Sequence, residues 1–76
     1  MSVMEKLELY LSSQVQATKN LPQHKHTFES HGFGAVEMAM MLDPENEQTY
    51  EKKWYDFKKT LDNLYEVWYN KDVERS

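Results

Sequence analysis

The chain has 76 residues, a formal net charge of −4 and no cysteine. That is one domain at most, with no disulfide to staple it, and a core this small contributes only about 3–5 kcal/mol on its own. Thirteen acids against nine Lys and Arg leave no continuous basic face, which argues against nucleic acid as a partner. No apolar run approaches a membrane span, and Met1 to Lys6 lacks the basic start and apolar stretch of a signal peptide. The absence of cysteine fits a reducing compartment, so a cytoplasmic protein is expected.

Ser2-Val3-Met4-Glu5 has the form of a capping box, a serine cap with a glutamate three residues on. It opens a helix over about 3–19 whose apolar face is Met4, Leu7, Leu11 and Val15. Asn20 and Leu21-Pro22 end it, because asparagine tolerates a left-handed C-terminal turn and proline cannot continue a helix.

A second helix is predicted over about 27–42. Ala35 to Leu42 are nearly all good helix formers, and Phe28, Gly32, Ala35, Ala39 and Leu42 share one side if the helix reaches back to Phe28. Gly32 and Gly34 oppose this, at about 1 kcal/mol each relative to alanine. A loop over 22–33 with a short helix after it is the alternative. Met38, Met40 and Met41 are read as gap-fillers in the core rather than as an adaptable surface.

Asp43-Pro44 stops the second helix and starts a third. Proline bars its predecessor from the helical conformation and suits a first helical position, while Asp43 can cap. The third helix is predicted over about 44–70, with Lys71 to Ser76 fraying. It holds seven of the ten aromatic residues. Tyr50, Trp54, Phe57, Leu61, Leu64 and Trp68 follow spacings of three and four, the pattern of a face that packs on other helices.

These elements predict an all-α fold, a small antiparallel three-helix bundle spanning residues 1–76 with a long aromatic C-terminal helix. The first two helices are too short to cover the third along its whole length, so an uncovered aromatic strip is expected. The expected function is that of a small regulatory or accessory protein acting by helix–helix docking. Its expected partner is a protein, and a second copy in a homodimer is the simplest one. Tyr55, Trp68 and Tyr69, lying off the centre of the stripe or near its end, are the candidate partner contacts.

Two other readings stand beside it. His24, His26 and His31, with Glu29 among them, could bind a metal if their stretch were a loop, although solvated loop histidines explain them as well. The acids from Glu29 to Glu51, a stretch without lysine or arginine, would suit an inhibitor of a basic, nucleic-acid-binding protein. No cofactor is expected. Nor is catalysis, because there is no cysteine nucleophile, no phosphate-cradling glycine loop, and the serines are explained by caps, exposed faces or the tail.

Overall fold

A computed structural model describes residues 1–75, with side chains through Lys71. Three helices pack against one another: α1 (Val3–Asn20), α2 (Lys25–Leu42) and α3 (Glu47–Arg75). Glu8 of α1 meets Lys53 of α3, and Lys25 at the start of α2 meets Asp62 further along α3. The chain therefore runs up, down and up, as an antiparallel bundle.

The capping box forms. The Glu5 backbone N–H donates to Ser2 Oγ at 3.1 Å, and the Ser2 hydroxyl donates to Glu5 Oε1 at 3.2 Å. At the other end of α1, Asn20 stays helical and no described residue has positive φ, so the expected left-handed turn is absent. Proline decides the geometry instead. Leu21 and Asp43, each preceding a proline, take nearly the same conformation, with φ,ψ of −134°, 67° and −140°, 67°. That conformation relieves the clash with the proline ring. Pro22 and Pro44 then each open a single 3₁₀ turn, Pro22–His24 and Pro44–Asn46, that leads into the next helix. The two connections are the same device used twice.

Asp43 does not cap with its side chain as expected. Its Oδ2 accepts from the Tyr50 hydroxyl at 2.7 Å and from Asn46 Nδ2 at 2.9 Å. The Tyr50 bond, followed by the Asn46 bond, holds the Asp43 carboxyl below its ordinary range. The same contact, with burial, pushes the Tyr50 phenol up to about 12. A fully enclosed tyrosine thus fixes the corner where α2 turns into α3.

The core consists of Leu7, Leu11, Val36, Ala39, Tyr50, Phe57 and Leu61, with Val15, Phe28, Trp54 and Leu64 packed against it. Thr18 is also fully buried, its hydroxyl donating to the Gln14 carbonyl at 2.8 Å. Back-bonding of this kind satisfies a hydroxyl inside a helix. Gly32 lies inside α2 against Phe57, so the helix runs through both glycines and begins at Lys25, not 27. α3 continues to Arg75, beyond the predicted end at 70; the expectation for Ser76 falls outside the described residues.

The body measures 49 × 19 × 15 Å with a radius of gyration of 13.8 Å. A compact chain of this length would have about 11 Å. The stripe from Tyr50 to Trp68 spans about 27 Å, which equals the length of an 18-residue helix at 1.5 Å per residue. Thr18 and Pro22 duly reach the level of Leu64 and Trp68. Along that stripe α1 is long enough, but α3 as a whole, 29 residues or about 44 Å, outruns the 18-residue α1 and α2 as expected. What of the stripe remains uncovered lies around the circumference, because each helix has only two neighbours.

Candidate functional site

The three α3 residues nominated from sequence are not equivalent. Tyr55 and Tyr69 are 59% and 52% exposed, whereas Trp68 is half-buried. Trp68 lines a groove of about 240 Å³ with Thr18, Pro22, Leu64 and Val67. Tyr65 joins two of the three: its ring stacks on Tyr69 with centroids 6.2 Å apart and tilts against Trp68 at 5.5 Å. Tyr55 sits about 21 Å down the helix from Tyr69 at 1.5 Å per residue, too far to share a contact with it.

Lys25 anchors the Tyr65 cluster to α2. Its Nζ lies 2.6 Å from Asp62 Oδ1, 3.8 Å from Glu29 Oε2 and 5.3 Å from the Tyr65 ring centroid. The hydrogen bond to Asp62 raises the ammonium pKa above its ordinary value, against some desolvation. The cluster is therefore held from one side and open on the other.

A second aromatic group was not anticipated. Phe33 meets Trp54 edge to face at 5.2 Å, and Trp54 leans on Phe57 at 6.0 Å. Phe33 is exposed and Trp54 half-buried, so neither tryptophan is enclosed by the chain.

The α1–α2 side carries the largest departure from expectation. Met38 and Met41 are 62% and 82% exposed, and only Met40 packs against the core, so gap-filling accounts for one methionine of the three. Leu42, expected on the small-residue side with Gly32 and Ala39, is 68% exposed. Between the two helices runs a groove of about 330 Å³ lined by Val3, Lys6, Leu7 and Tyr10 of α1 and by Ala35, Met38, Ala39 and Leu42 of α2. The signal in the sequence was the unbroken run Met38-Ala39-Met40-Met41-Leu42, since five consecutive apolar residues on a helix must put some of them outside.

The α1–α3 side is different. A groove of about 640 Å³ there has a mixed lining, with Glu8, Lys19, Lys53 and Asp56 around Leu11, Val15 and Phe57. Lys53 Nζ bridges it to Glu8 Oε1 at 2.8 Å.

The histidines do not converge. His24 lies in the first 3₁₀ turn, His26 in the first turn of α2, and His31 places Nδ1 at 3.1 Å from Gln14 Oε1. All three are exposed, and no three potential metal ligands come together among the described residues. The stretch is a 3₁₀ turn followed by α2, not the loop that the metal reading needed. Among the described residues, no helix is long and apolar enough to cross a membrane.

Compared with protein families, with curated proteins and with solved structures, the chain matches none.

Proposed function

We propose that this chain is a small cytoplasmic protein-interaction domain, regulatory or accessory in role, that docks helix to helix and associates with itself. One observation carries the reading. Among the described residues, eleven large apolar side chains are exposed, against seven residues in the buried core, and three of them, Tyr10, Met38 and Leu42, line one groove. Single exposed apolar residues are ordinary, but clusters of them mark contact surfaces. Tyr69, stacked on a Tyr65 that Lys25 holds in place, is a preorganised aromatic anchor of the kind that dominates docking energies. Tyr55 and Trp68 complete the α3 contacts in this reading.

A photo-crosslinking residue placed at Tyr55 or Tyr69 in the native host tests it. Adducts of discrete mass are expected there, and none from Glu45 in the second 3₁₀ turn. No adduct at either tyrosine, or the same adducts from Glu45, would contradict the reading.

A further inference from the structure

Phe33 and Trp54 are aromatic residues to which the docking reading gives no role. Their rings, one on α2 and the other on α3, stand at 66° to one another with centroids 5.2 Å apart. Both border a cleft of about 340 Å³ whose other lining residues are Glu29 and Ser30. Trp54 is backed by the buried Phe57 at 6.0 Å, whereas Phe33 is 48% exposed. The two rings thus make a corner, one wall fixed to the core and the other reaching solvent, with a carboxylate at its side.

A corner of this kind suits a cation. The face of an aromatic ring is negative, and tryptophan is the ring that holds a cation best. The charges around it agree. Within one helical turn of the lining residues stand the acids Glu29, Glu37 and Glu51 and the bases Lys25 and Lys58, besides His26. Lys25 is already held by Asp62 at 2.6 Å, so the local balance is negative.

Hydrogen bonding narrows the kind of cation. Glu29 is the one anionic group in the lining, and its Oε2 lies 3.8 Å from Lys25 Nζ, too far for a hydrogen bond. A lysine or arginine head would bring several N–H donors to a cleft whose lining side chains offer one carboxylate and one hydroxyl. A quaternary ammonium has no N–H to satisfy. Its methyl groups pack on the rings while its charge meets their faces and Glu29.

We propose that the corner between Phe33 and Trp54 binds a trimethylammonium group. A small choline-like molecule and a trimethylated lysine side chain both present that group, and the chemistry at the cleft is the same for either. The site uses none of Tyr55, Trp68 and Tyr69, so it stands or falls apart from the docking reading.

Nuclear magnetic resonance of the whole chain, titrated with choline chloride against a sodium chloride control, tests the proposal. Dimethylbutanol, the uncharged molecule of the same shape as choline, is titrated in parallel. Choline should move the Trp54 indole signal saturably, with a Kd in the roughly millimolar range that so few atoms allow. The alcohol should need about three times the concentration or more. Phe33→Leu and Glu29→Gln should each weaken choline binding about threefold or more, with circular dichroism verifying unchanged helix content. A peptide carrying trimethyl-lysine, beside its unmethylated twin, separates the sources: tighter binding than choline assigns a chain-borne group, weaker binding a free molecule. A shift that does not saturate, an alcohol that binds as well as choline, or a Phe33→Leu chain that binds choline undiminished overturns the proposal.

Discussion

Gly32 of α2 lies so close beneath the Phe57 ring of α3 that a Cβ built on it would fall 2.7 Å from Cζ and 3.0 Å from Cδ2. Real Cβ atoms do not approach ring carbons that closely. The absence of a side chain at position 32 is what lets α2 and α3 pack around a 4% exposed phenylalanine.

The two glycines of α2 should therefore respond oppositely to alanine. At Gly34 there is open space, so Gly34→Ala should add about 0.5–1 kcal/mol through helix propensity and a less flexible unfolded chain. Gly32→Ala gains the same propensity, but it overpacks a rigid ring at a cost of about 1–3 kcal/mol. The clash wins, and a net loss of about 1–2 kcal/mol is expected. Urea denaturation at low protein concentration measures both.

Phe57→Leu should rescue Gly32→Ala. Alone, each change leaves a misfit, one a void and the other an overlap. Together they partly cancel, so a double-mutant cycle should show favourable coupling of about 1 kcal/mol or more. Additive losses would mean that the two residues do not share this space.

Much of this was legible in the sequence. The capping box at Ser2, the aromatic spacing from Tyr50 to Trp68 and the proline stops gave three helices with boundaries close to those observed. Gly32 could not be read correctly, because its helical cost is local whereas its reason is a ring on another helix. The 3₁₀ turns after Leu21 and Asp43 follow from proline, yet the acceptance of Tyr50 by Asp43 needed the corner to be folded first. The exposed face escaped for a related reason. Periodicity shows which residues can share a side, but not how much of a helix two neighbours will cover.

The Asp43–Tyr50 bond should leave a mark at both ends of the pH range. Asp43 is held below its ordinary 3.8, so its contribution is full above that value and is lost as pH falls through the lower folded value. Tyr50 is raised from 10.0 to about 12, so its contribution is full below pH 10 and is lost as pH rises towards 12. Ultraviolet titration should show one phenol ionising near 12, and Tyr50→Phe should abolish that component. In Tyr50→Phe the Asp43 carboxyl returns towards its ordinary value, so the stability lost on acidification should be smaller than in the original chain.

Two lysines that make ion pairs to α3 or from it should differ in weight. Lys25 is 13% exposed at its side chain, pairs with Asp62 and sits over Tyr65; Lys25→Gln is expected to cost about 1 kcal/mol. Lys53 pairs with a Glu8 that is 54% exposed, and Lys53→Gln should cost less than about 0.5 kcal/mol. Thermal melts in low and high salt separate them, with the Lys53 effect vanishing in high salt. The raised pKa of Lys25 also means that its contribution is present below its ordinary 10.5 and fades above that.

The chain's lack of cysteine allows a direct look at which sides of two copies face each other. Single cysteines at Met38 and at Tyr55, both exposed positions, would be treated with a short bismaleimide at a concentration where the chain associates. The proposed self-association predicts a linked dimer from at least one of the two variants. No linked dimer from either variant would contradict it.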